Sequence, residues 1–148
     1  MTNPMIESFW AEFAAATGVG AGYEAWAFGL DSDPAFATGL ARLVIDGPKR
    51  ATAGVLSDYG DEPLPQVGDY SVILDGAGDP VCIIRTTELS IKPFADVDEA
   101  FAWDEGEGDR TLEWWRRAHT DFFARMGIQV NDDTDMILER FELVWPVD

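Results

Sequence analysis

The stretch "YSVILDGAGDPVCIIRTT", residues 70–87, decides the fold. Tyr70, Val72 and Leu74 alternate with Ser71, Ile73 and Asp75, and residues 81–87 are again rich in β-branched side chains. Period-two alternation and β-branching both favour a pleated strand. Between the two runs, "GAGD" (76–79) is a turn by composition. The stretch therefore predicts a hairpin.

Working outward, "MIESFWAEFAAA" (5–16) places Met5, Phe9 and Phe13 near helical spacing, with Ile6 and Trp10 on the same broad face and Asn3-Pro4 suited to a cap and first turn. "YEAWAFG" (23–29) alternates as an extended segment. A second helical stripe, Phe36, Leu40, Leu43 and Val44, starts beside Pro34 and stops at Gly47. Lys49 to Ala53 then enters a strand. Beyond the hairpin, "ADVDEAFAWDEGEGD" predicts a short helix followed by an acidic loop. Leu112, Trp115, His119, Phe122, Phe123 and Met126 predict a longer helix, and "MILERFELVWPV" (136–147) the last strand. Strands clustered between helices predict an α+β fold: a small, mostly antiparallel sheet or β-barrel flanked by several helices.

The 148 residues suit one domain. Ten lysines and arginines face twenty-eight acids, for a formal charge of -18. That balance opposes long-range attraction to a polyanion, so any nucleic acid must be met by a local basic cleft. Cys82 and His119 are the only residues of their types, which excludes an internal disulfide and Cys-based zinc clusters. No apolar run reaches the ~18 residues that suggest a membrane span. The N-terminus lacks the basic start and cleavage site of a signal peptide. A cytoplasmic protein without a membrane partner is expected.

In so acidic a chain, "GPKRATAG" (47–54) stands out, because Lys49 is one of two lysines and is followed by Arg50 and the lone hydroxyl of Thr52. Lysine supplies a point charge, arginine a planar fork of donors, and threonine a hydroxyl that attacks once a base activates it. A basic pair at a helix C-terminus also satisfies the helix dipole without any ligand. Lys49 and Thr52 converge only if the strand starts after Lys49 or carries a bulge. Arg85, after "VCII", and Arg110 are further cation candidates, and Trp26 a stacking surface. The run "WDEGEGDR" holds Asp104, Glu105, Glu107 and Asp109. A carboxylate there serves as acid, base or ligand to Mg²⁺, which needs only one or two. The plainer reading is a solvated loop with Asp109 capping the next helix. His119, on an apolar face, reads as a satisfied core group.

Together, "YEAWAFG", the helix leading into "GPKRATAG", "LPQVGDYSVILDGAGDPVCIIRTTEL", "VDEAFAWDEGEGDRTLEWWRRAHTDFF" and "ERFELVW" resemble, in order, the ASCH domain family of the PUA-like superfamily. The resemblance implies one domain over residues 1–148, a small β-barrel surrounded by helices, with an N-terminal helical extension. It implies single-stranded RNA or a modified nucleoside as partner. Small relatives that deacetylate acetylated cytidine share a Gly-x-Lys-x-x-Thr arrangement, matched here by Gly47, Lys49 and Thr52. In them lysine and threonine form the catalytic pair with a glutamate, for which Glu105 and Glu107 are the candidates; Arg50, Arg85, Arg110 and Trp26 then bind the ligand. Ribonuclease activity within the family gives a second hydrolytic reading, and a non-catalytic RNA- or nucleoside-binding module is the alternative to both.

Overall fold

The hairpin forms where its alternation ends in the Gly-rich turn: β3 (Tyr70–Leu74) pairs antiparallel with β4 (Pro80–Pro93), in a register from Tyr70↔Arg85 to Leu74↔Pro80 with an irregularity at Ile73/Leu74. The structure, a computed structural model, describes residues 3–29 and 32–146. Adding β1 (Glu24–Ala27), β2 (Ala51–Val55) and β5 (Asp135–Trp145) gives a five-stranded mixed sheet in the order β1-β3-β4-β5-β2. β1 runs parallel to β3, and β2 antiparallel to β5. The helices are α1 (Pro4–Thr17), α2 (Pro34–Ile45), α3 (Glu99–Glu105) and α4 (Leu112–Arg125). The α+β class and the expected order of elements are both present. Val147, assigned to the last strand from sequence, lies outside the described residues.

The chain divides into two compact units. The first holds Met1–Gly47, Gly68–Arg85 and Glu142–Asp148. Asn3 caps α1 by accepting from the Met5 N–H at 2.9 Å, and Gly18 ends it at φ 77°. Phe13, Val72 and Ile83 form one cluster of its core, with Trp10 stacked on Tyr23 at 4.7 Å. Met5, expected on the apolar face, is exposed. Gly76 serves a close approach, since a Cβ there would lie 2.0 Å from the Pro34 carbonyl oxygen.

The second unit holds Pro48–Val67 and Thr86–Phe141. Its core joins Ala51 and Val55 of β2, Phe101 and Ala102 of α3, Trp115 and Phe123 of α4, and Met136 and Leu138 of β5. Burying each large side chain contributes roughly 1.5–3 kcal/mol. The cap of α4 is Thr111, not Asp109: Thr111 Oγ1 accepts from the Trp114 N–H at 3.2 Å. Asp109 instead accepts from the Thr111 hydroxyl at 2.6 Å and from its N–H at 2.9 Å, holding the cap in place. Two residues of separation suit that local turn better than a direct cap.

Candidate functional site

Helix α2 ends at Ile45, and four residues later, before β2 begins, Lys49 turns inward. Its side chain is 1% exposed. Burial of an ammonium is tolerated only with full compensation, and four oxygens lie within hydrogen-bond distance of the three N–H donors of Nζ: Ala51 O at 2.8 Å, Glu105 O at 3.3 Å, Glu105 Oε1 at 2.9 Å and Glu107 Oε2 at 2.6 Å. Both glutamates come from the end of α3 and the turn beyond it. Gly106 between them adopts φ 68°, and a Cβ there would lie 2.7 Å from the Lys49 backbone nitrogen. Only glycine lets this turn close over Lys49.

Glu105 is the hub. Its Oε2 accepts from Trp115 Nε1 at 2.6 Å and lies 3.0 Å from His119 Nε2. Trp115 and His119, four residues apart on α4, stack at 4.2 Å between ring centroids, and His119 Nδ1 lies 2.9 Å from the Trp115 carbonyl. Burial alone would raise the Glu105 carboxyl, but the charges of Lys49 and then His119 outweigh it and hold it well below the usual carboxylate range. Burial likewise opposes the charge on Lys49, yet Glu105 and Glu107 together raise its pKa. His119 follows the same pattern: burial lowers it, and Glu105 reverses the direction to a net rise. Glu107 behaves differently. Desolvation raises its carboxyl, and the neighbouring Glu105 charge adds to this against the opposing pull of Lys49. At 12% side-chain exposure it is also the more accessible of the two glutamates.

Thr52 follows on β2, half-buried, opposite Glu139 of β5. The strand does start after Lys49, as convergence requires, but no hydrogen bond joins Lys49 to the Thr52 hydroxyl among the described residues. Arg50 is fixed at the same junction: its N–H donates to Asp104 O at 2.7 Å, its carbonyl accepts from the Phe141 N–H at 3.0 Å, and its guanidinium donates to Lys49 O at 2.6 Å. Arg110, at the left-handed φ of 65°, stands 3.5 Å over the Trp103 ring and donates to the Trp103 carbonyl. Arg85 and Trp26 belong to the first unit, where Arg85 pairs with Glu142 at 3.6 Å and Trp26 packs edge-on against Phe28. Sequence reasoning thus brought Lys49, Glu105 and Glu107 together, with Arg50 and Thr52 adjoining. It took Trp115 and His119 as core, which they are, and missed that both hold Glu105; their four-residue spacing was the available signal. No described group of three or more His, Cys, Asp or Glu side chains is arranged to hold a metal ion.

A family model described as the ASCH domain matches residues 24–145. An ASCH domain structure from Lactobacillus crispatus JV V101 is similar at 32% identity and a TM-score of 0.85, covering 96% of this chain and 95% of that one. A protein of Enterococcus faecalis V583 is similar at 35% identity and a TM-score of 0.84, covering 94% and 87%. The α+β architecture with a barrel-type, mostly antiparallel sheet is that of these structures. A comparison with curated proteins finds no match. No described helix is long and apolar enough to cross a membrane.

Proposed function

The chain belongs to the ASCH domain family, which is generally linked to RNA binding, and from that premise we propose that it is a hydrolase acting on an RNA-derived substrate. The substrate is an acyl-modified nucleoside or a short single strand of RNA, met by a cytoplasmic, one-domain protein whose α1 is an N-terminal extension. The observation that carries this reading is the Glu107 carboxyl, raised in pKa and hydrogen-bonded at 2.6 Å to the buried Lys49 ammonium. Perturbed, paired titratable groups concentrate where protons are moved. Glu107 is then the proton carrier and Glu105 the anchor that fixes Lys49. Lys49, held charged by its carboxylates, acts as an electrostatic stabiliser and not as a base. Thr52, the half-buried hydroxyl on the adjoining strand, is the nucleophile. Arg50 and Arg110 contact polar edges or phosphate. No metal is assigned to the step.

A short single-stranded RNA carrying one acetylated cytidine, incubated with and without Mg²⁺ and read by mass spectrometry, tests this. Loss of the acetyl group by the wild type, abolished in Glu107→Gln and Thr52→Ala, is expected. Strand scission dependent on Lys49 would assign a ribonuclease. The raised pKa of Lys49 also suits a second reading, a non-catalytic RNA- or nucleoside-binding module, because binding needs no deprotonated lysine. Tight binding with an untouched oligonucleotide after long incubation would establish that module.

A further inference from the structure

With the Lys49 ammonium engaged by four oxygens, the base that activates Thr52 must come from elsewhere. Thr52 faces Glu139 directly across the β2–β5 ladder. Opposed residues of an antiparallel pair share a face, with Cβ atoms about 4.5–5.5 Å apart. Glu139 is buried, at 7% exposure, in a strand where Ile137, Leu138 and Phe141 are apolar and the adjacent Arg140 is bonded to Asp104 and Glu88. Thr86 of β4, 1% exposed, donates its hydroxyl to Glu139 Oε2 at 2.5 Å. A buried carboxylate is therefore flanked by two threonines, one orienting it and one beside it. The Thr86 bond fixes the plane of this carboxyl.

We infer that Glu139 is the general base for Thr52, with Thr86 as its positioning residue, an inference that rests on Thr52 being the nucleophile. Nucleophile, base and orienting group in sequence are the arrangement that such chemistry requires. Thr52 is the more exposed of the pair and meets the ligand, while Glu139 acts through it. The Thr52 and Glu139 side chains tighten to hydrogen-bond distance when substrate closes the site, as ligand-free catalytic contacts often do. For an N-acyl substrate, Thr52 Oγ bonds to the acyl carbon as its proton passes to Glu139. The C–N bond then breaks and the departing nitrogen takes the proton of Glu107. Water adds to the threonyl ester and gives a proton back to Glu107; the C–Oγ bond breaks, Oγ recovers its proton from Glu139, and the free acid leaves.

Turnover of N4-acetylcytidine by the wild type, Thr52→Ala, Glu139→Gln, Thr86→Val and Thr86→Ser across pH 4–9 decides it. Glu139→Gln is expected to lower kcat ~100-fold or more with KM little changed, and to remove the acid limb of the pH profile. Thr86→Val should lower kcat ~10-fold and Thr86→Ser restore it, in line with loss and recovery of one hydrogen bond. Wild-type kcat and pH profile in Glu139→Gln beside an inactive Thr52→Ala would overturn the base and leave the hydrolase standing. Turnover by Thr52→Ala would overturn Thr52 as the nucleophile and the base with it while leaving a hydrolase; none by the wild type would overturn the deacylase reading and the base with it. Should Glu139→Gln fail to fold by circular dichroism, the Thr86 pair decides: an unchanged profile in Thr86→Val overturns the inference.

Discussion

Replacing Lys49 by methionine keeps much of its volume and deletes its charge. Glu105 would retain Trp115 and His119, but Glu107 would lose its cationic partner and the two carboxyls would face one another in a desolvated turn. Breaking a buried pair from one side costs about 3–5 kcal/mol, because the remaining charge stays uncompensated. Urea unfolding of Lys49→Met should show a loss of that size; a loss below about 1 kcal/mol would mean that the glutamates are resolvated and the turn is open. His119 gives a pH signature. Its pKa is raised in the folded chain, so its contribution is fully present below the unfolded value of about 6.5 and is lost as pH rises through the folded value. Wild-type stability should therefore fall on the alkaline side of neutrality, by at most about 1.4 kcal/mol per pH unit from this group. Glu107, raised as well, works in the same direction and itself feels the His119 charge, so the difference between wild type and His119→Gln reports the imidazole together with its effect on the neighbouring glutamates. Urea midpoints from pH 6 to 9 with equal slopes in both would remove the charged His119–Glu105 contact. At this scale the sequence carried Lys49, Glu105 and Glu107 because charged residues are conspicuous in a small-residue or turn context. Glu139 was not conspicuous: a single acid in "MILERF" reads as an outward strand position until the ladder shows it opposite Thr52.

Elements were legible where one period dominated. The stripes of α1, α2 and α4 each bury one face, and burial enforces what the pattern proposes; β3 is buried on both faces from Ser71 to Ile73, and its β-branched residues mark it as a strand. Boundaries were less so: β4 runs on to Pro93 through "ELSIKP", where Leu89 and Ile91 alternate with Glu88, Ser90 and Lys92, and tertiary pairing decides its length. The turn joining α3 to α4 depended on backbone geometry that composition only hints at. Gly106→Ala tests it. A left-handed Ala costs roughly 1–2 kcal/mol, and its Cβ would meet the backbone of Pro48 and Lys49, which cannot rotate away as a side chain can. The expected loss is more than about 2 kcal/mol in urea unfolding, with altered amide chemical shifts at Lys49 and Arg50. A neutral Gly106→Ala would place the turn farther from β2 than its geometry indicates. Thr111→Ala is the milder control: removing the cap hydroxyl of α4 should cost about 1 kcal/mol and leave the Lys49 amide shift unchanged.

For the whole molecule, a formal charge of -18 sets the terms on which any polyanion is met. Long-range repulsion slows encounter and grows with ligand length, while only the few cations at the site offer compensation. Arg50 and Arg110 are the cations assigned to the ligand, so only one or two phosphates can be neutralised. For a single strand, log K falls with log salt by about 0.7 per phosphate neutralised. Titrating a six-nucleotide single strand by fluorescence anisotropy between 50 and 300 mM NaCl should therefore give a slope between about -0.7 and -1.4. A duplex of twenty base pairs should bind more weakly than the hexamer at every salt concentration, since its added phosphates meet acids and not bases. A slope steeper than about -3, or tighter binding of the duplex, would require a cationic track several residues long. With only ten lysines and arginines, and Lys49 enclosed by its glutamates, such a track would have to lie outside the Lys49–Thr52 segment. The site would then have to be sought on another face, and the acid-base chemistry of Glu107 would be separate from nucleic-acid recognition.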